Sequence, residues 1–132
     1  MAERHTITIL AVRDLARSVA FYDVAFGWPH VVDAPVYVEL DAGGGAKGAR
    51  VGLYERNGFG RNTGRAPTEI APGELAPTEL YLRTDDLDDA IGRLRQAGAT
   101  QLSARSARPW GDEAAYFADP DGNVVVVACP IE

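Results

Sequence analysis

At 132 residues, 46% of them hydrophobic and 24% charged, the chain can bury one compact domain or two small, tightly joined halves, and its composition is not that of a disordered segment. Nineteen acidic against thirteen basic residues leave a formal net charge of −6, a field unsuited to a polyanion, and no Lys/Arg cluster interleaved with aromatics offsets it, so nucleic acid is not an expected partner. The single cysteine, Cys129, cannot close an internal disulfide, no apolar run approaches the roughly 20 residues of a membrane span, and no basic-then-apolar signal pattern opens the chain, so a reducing cytoplasm is the expected location.

Thr6 to Val12 alternates and is β-branched like a strand, and Asp14 is placed to cap a following helix. Leu15, Val19, Tyr22 and Phe26 fall on one helical face, and Gly27 supplies a stop. Trp28 to Val32, Val36 to Leu40 and Arg50 to Glu55 predict short strands, separated by Asp33-Ala34-Pro35 and by Gly43-Gly44-Gly45. Residues 56–77 carry several glycines, with Pro67, Pro72 and Pro77 and no apolar periodicity, and predict a linker or a lid loop.

The order then repeats. Leu80 to Thr84 predicts a strand, and Leu87, Ala90, Ile91, Leu94 and Ala97 form the apolar face of a helix from Asp86, favoured at its start by Asp85, Asp88 and Asp89 and ended by Gly98. Thr100 to Ser106, Ala114 to Ala118 and Asn123 to Ala128 complete the second half as strands. Val12-Arg13-Asp14-Leu15 answers Thr84-Asp85-Asp86-Leu87, and Phe26-Gly27 answers Ala97-Gly98, so the chain reads as two tandem β-α-β-β-β modules, 1–55 and 78–132.

Tyr116-Phe117, the turn Ala118-Asp119-Pro120-Asp121-Gly122-Asn123 and the apolar run Val124 to Ala128 predict a hairpin. With Trp110-Gly111 ahead of it and Cys129-Pro130 behind, this hairpin resembles the terminal hairpin of the vicinal oxygen chelate superfamily, which includes glyoxalases, extradiol dioxygenases and bleomycin-binding proteins. The tandem module plan resembles that superfamily over essentially the whole chain. The resemblance implies a single α+β domain, an eight-stranded, mostly antiparallel concave sheet with helices outside, and a cleft for a small molecule, enclosed within one chain or across a homodimer.

In metal-dependent relatives each half contributes a ligand from its first strand and another from a later strand. The matching places here fall on Ile7, near Gly52 to Tyr54, on Glu79 and on Val126, so only Glu79 is a donor where one is expected. His5 and Glu55 join Glu79 only if the register slips, whereas a catalytic ion needs at least three protein ligands. The first expectation is therefore a metal-independent, cofactor-free protein that sequesters an aromatic metabolite or antibiotic, usually as a homodimer. Tyr37, Tyr54, Phe59, Glu79, Tyr81, Arg83 and Trp110 are the expected ligand-binding residues; Arg83 could alternatively pair with Glu79 or a nearby acid, and Trp110 could pack on a helix. A metal-dependent lyase or dioxygenase using His5, Glu55 and Glu79 is the alternative, as is a metal-free isomerase with Glu79 as base and Arg83 stabilising negative charge. His5, His30 and Cys129 otherwise lack partners at catalytic spacing.

Overall fold

The computed structural model describes residues 5–44 and 48–132, so Gly45 of the expected glycine turn lies outside the described residues. The elements run β1 (Thr6–Val12), α1 (Leu15–Ala25), β2 (His30–Ala34), β3 (Tyr37–Asp41), β4 (Ala49–Glu55), α2 (Arg56–Thr63), β5 (Glu79–Arg83), α3 (Leu87–Gln96), β6 (Thr100–Ala107), β7 (Asp112–Ala118) and β8 (Val124–Pro130). The tandem repeat is present, and the fold is α+β. Among the described residues eight strands form two four-stranded mixed sheets, ordered β1-β4-β3-β2 and β5-β8-β7-β6. In each sheet one pair is parallel, β1 with β4 and β5 with β8, and the other pairs are antiparallel.

Compactness divides the chain into Met1–Val19 with Gly27–Glu69 and Ala20–Phe26 with Ile70–Glu132, so the boundary runs through α1. In the first unit Leu10, Val12, Val38, Leu40, Val51 and Leu53 are buried on one sheet face, as strand alternation requires. In the second, Phe117, Val125 and Val127 form the corresponding buried face, and Leu87, Ala90, Ile91 and Leu94 are the buried positions of α3, which packs on β8. Strand β8 is buried on both faces, which explains its uninterrupted apolar sequence.

The helix caps follow the sequence. The Asp14 carboxylate accepts from the Arg17 amide at 3.1 Å, and Asp86 accepts from the Asp89 amide at 3.0 Å, satisfying donors that the first helical turn leaves unpaired. Several expectations are corrected. The turn before β3 is Pro35-Val36, and β2 starts two residues later than Trp28, because Asp33 and Ala34 pair with Val38 and Tyr37. The loop expected at 56–77 begins with a helix, α2. Gly58 lets α2 lie on the Tyr54 ring, where a Cβ would fall 2.3 Å from Cε1, and Gly64 closes the helix at φ 80° with its amide on the Gly60 carbonyl. Farther on, the Ala76 amide donates to the Gly122 carbonyl at 2.8 Å, strapping this segment to the β7–β8 turn. No helix among the described residues is long and apolar enough to cross a membrane.

Candidate functional site

The second sheet brings together most of the expected polar residues. Glu79, Tyr81 and Arg83 alternate on one face of β5, beside Val124, Val126 and Ala128 of β8, and Tyr116 and Ala114 continue the last two rows on β7. Buried Ala114, Val124, Val126 and Ala128 form its floor, with Tyr81 and Tyr116 packed against them. A row Tyr81–Val126–Tyr116 thus crosses three strands, a fully buried valine between two half-buried tyrosines.

Asp112, buried at the start of β7, organises one side of this face. Its Oδ2 accepts from the Tyr81 hydroxyl at 2.5 Å and from the Arg83 Nε at 3.0 Å. Trp110, in the preceding turn, donates its indole N–H to the Tyr81 oxygen at 2.8 Å and sets its ring edgewise to Tyr81 at 6.2 Å. The hydrogen bond from Tyr81, reinforced by the Arg83 charge, holds the Asp112 carboxyl below its usual range against the opposing effect of burial. Burial and the bond to Asp112 push the Tyr81 hydroxyl up. Arg83 therefore pairs with Asp112 and not with Glu79, the nearby-acid alternative of the sequence reading.

Below this cluster lies a cleft of about 360 Å³ edged by Glu79, Leu75, Leu102, Val124, Tyr116 and Arg108. The Arg108 guanidinium stacks over the Tyr116 ring at 4.7 Å, an arrangement that also stabilises a partly desolvated cation. Arg108, Asp112 and Tyr116 were not among the expected site residues. Trp110-Gly111 drew attention to the turn, but no local pattern marks which neighbours of a tryptophan face the same way across a sheet.

Tyr37, Tyr54 and Phe59 belong to the first unit. The Tyr37 hydroxyl donates to Glu39 at 2.8 Å, and Arg50 Nη1 reaches the other oxygen of Glu39 at 3.0 Å, all on one face of β3 and β4. Burial, with the Glu39 bond, raises the Tyr37 hydroxyl. Tyr37 and Tyr54 meet edge to face at 5.4 Å, Asn62 of α2 donates to the Tyr54 oxygen at 3.2 Å, and Phe59 sits half-buried on α2. Glu39 and Arg50 are residues the sequence reading missed, because an acid alternating with Val38 and Leu40 looks like an ordinary solvent-facing position.

The positions where a metal is implied do not assemble a donor set. Glu55 pairs with Val12, seven residues beyond His5, so roughly 23 Å of strand separates the two along β1 and β4. Ile7 is 37% exposed, Val126 is fully buried and apolar, and a Cβ at Gly52 would lie 2.5 Å from the Tyr37 oxygen. Among the described residues no group of three or more His, Cys, Asp and Glu is placed to hold an ion. These residues do not fit the three protein ligands of a catalytic divalent ion.

The sequence matches the glyoxalase-like domain family over residues 7–128. None of the curated proteins matches it. Among solved structures, a glyoxalase-related enzyme from Fulvimarina pelagi superposes with a TM-score of 0.81 at 24% identity, over 94% of this chain and 86% of its own. A glyoxalase/bleomycin resistance protein/dioxygenase from Nocardioides gives 0.77 at 23% identity, over 96% and 83%. A member of the glyoxalase/bleomycin resistance protein/dioxygenase superfamily from Sphaerobacter thermophilus gives 0.70 at 25% identity, over 98% of both chains.

Proposed function

The chain belongs to the glyoxalase-like domain family of the vicinal oxygen chelate superfamily, and from that premise we propose that it is a metal-independent small-molecule binding protein that takes an aromatic ligand on the second sheet. The row Tyr81–Val126–Tyr116 carries the reading. Val126 takes the place where the resemblance implies a glutamate in relatives that use a metal, and its fully buried isopropyl group backs the two tyrosines, of which Tyr116 lines the cleft beside Val124. Arg108 adds its cation over Tyr116 at the cleft edge, and Trp110 sets its ring edge against Tyr81 at the far end of the row. Rigid aromatic surface with a few fixed polar groups is the composition of small-molecule sites, and about 360 Å³ falls at the small end of their range.

The isomerase reading finds less support in this geometry. Its proposed cation, Arg83, is engaged with Asp112. Binding is tested by fluorescence titration of a Trp28→Phe variant, in which Trp110 alone reports, against a panel of small aromatic compounds. Saturable quenching by at least one compound, abolished by Tyr116→Ala, is expected. A panel that leaves both Trp110 emission and melting temperature unchanged would remove the proposal.

A further inference from the structure

The cleft beneath the Asp112 cluster holds two opposite charges that do not neutralise one another. Glu79 stands at one edge on β5, and Arg108 at another, in the turn before β7. Elsewhere in this unit, Arg83, Arg93 and Arg105 each hold a carboxylate: Asp112, Asp89, and Asp88 with Glu113. Among the described residues Arg108 has no acidic partner within salt-bridge distance, and the Glu79 side chain makes no hydrogen bond or ion pair.

Arg108 is nevertheless fixed. Its Nη2 donates to Ser103 Oγ at 2.9 Å and to the carbonyls of Ala104 and Ala114 at 3.1 and 3.0 Å, while the plane lies over Tyr116. Its Nε is buried without a partner. A half-buried guanidinium held in one orientation by neutral groups has lost its side-chain freedom before any ligand arrives, which lowers the cost of binding an anion there.

The sheet register sets the spacing. Glu79 lies beside Val124 and Tyr116 beside Val126, so two interstrand steps and two residues separate Glu79 from the strand position under Arg108. At ordinary strand geometry this is about 12 Å between backbones, room for a ring between the two charges once both side chains reach inward. Leu75, Leu102, Val124 and Tyr116 provide apolar contact for such a ring.

We propose that this cleft selects a small zwitterionic aromatic molecule, with its carboxylate on Arg108, its ammonium group on Glu79 and its ring against Tyr116 and Val124. The inference rests on the small-molecule reading above and names the ligand class of that site. Selection works in both directions. A simple anion would satisfy Arg108 but meet Glu79 in a protein of net charge −6, and a simple cation would satisfy Glu79 but meet Arg108.

The test uses four ligands of one shape: para-aminomethylbenzoate, para-toluate, para-methylbenzylamine and para-methylbenzyl alcohol, titrated by calorimetry into the intact protein. The zwitterion should bind roughly tenfold or more tighter than any of the others, since each end makes a charge-assisted contact. Glu79→Gln, an exposed and structurally unburdened change, should reduce the zwitterion to the affinity of para-toluate and leave para-toluate no weaker. Arg108→Lys, which keeps the charge but loses the planar group fixed over Tyr116, should weaken the zwitterion and para-toluate together, with an unchanged far-UV circular dichroism spectrum guarding against misfolding. If the neutral alcohol binds as tightly as the zwitterion, the charge selection is wrong and the aromatic site stands. If the charged probes fail while other aromatics quench Trp110, the ligand class alone is wrong. If no aromatic of any charge binds, both readings fall.

Discussion

Each sheet carries a tyrosine, a carboxylate and an arginine joined through the carboxylate, yet one set is closed and the other open. In the first, Tyr37, Glu39 and Arg50 bond side by side, and the charged side chains are only 10% and 17% exposed for Glu39 and Arg50. In the second, the Asp112 side chain is 4% exposed but that of its arginine, Arg83, is 61% exposed, and Trp110 covers Tyr81 from a turn. In the module repeat Ile9 corresponds to Tyr81, which makes their strand partners Gly52 and Val126 equivalent centres of their own sheets. Over Gly52 the Tyr37 ring settles onto the backbone; over Val126 Tyr81 and Tyr116 pack against the buried valine cluster, and the cleft opens beside it over Val124. A side chain at the centre of the central strand thus keeps aromatic rings off the backbone at Val126, whereas its absence at Gly52 lets the Tyr37 ring down onto it.

Breaking the closed set should produce the largest effect. Glu39→Ala removes the carboxylate that both Tyr37 and the half-buried Arg50 bond, with the Arg50 Nε already unpartnered, and should cost about 3 kcal/mol in urea unfolding. Asp112→Ala should lower the melting temperature much less, because water can reach the exposed Arg83. Equal losses for the two variants would mean that the sets do not differ as described. The next effect is steric. Gly52→Ala puts a methyl group 2.5 Å from the Tyr37 oxygen, so the ring must move and Glu39 keeps only Arg50 as a donor, at about 2 kcal/mol. A neutral or stabilising Gly52→Ala would show that the close approach of Tyr37 is not what closes this face.

The hairpin and both capped helices were legible because local chemistry dictates them. Asp119 is the best case: one oxygen accepts from the Asp121 and Asn123 amides, both at 2.9 Å, so the turn largely builds itself. Helix α2 was not legible, since Gly58 and Gly60 oppose helix formation and its support comes from Tyr54 and from Arg56, whose guanidinium binds the Pro67 and Thr68 carbonyls. The candidate site was half legible. Alternation along β5 aligned Glu79, Tyr81 and Arg83, but their partner Asp112 lies 29 residues beyond Arg83 and reaches it only through pairing by way of β8. Arg108 was missed for the same reason: its role depends on Tyr116, which only the folded register brings beneath it.

The smallest expected effects concern acid. Asp112 and Asp119 flank the same strand, β7, and are 3% and 6% exposed, yet they shift in opposite directions. Tyr81 and Arg83 hold Asp112 below its ordinary value of 3.8. At Asp119 burial prevails over the bonds from Tyr22, Asn123 and the backbone, and raises the carboxyl above 3.8. The stabilisation from Asp112 is therefore complete above 3.8 and disappears as pH falls through its lower folded value. Asp119 has the reverse sign: between its raised folded value and 3.8 the folded state binds more protons, so its contribution to stability grows as pH falls. Side-chain carboxyl titrations by NMR should place the two midpoints on opposite sides of 3.8, and Asp112→Asn should remove only the acid-side loss while Asp119→Asn removes only the acid-side gain. Midpoints on the same side would mean that the Tyr81 hydrogen bond and the Arg83 charge do not prevail over burial at Asp112, and the open set would then lack the strength to position Tyr81 and Trp110.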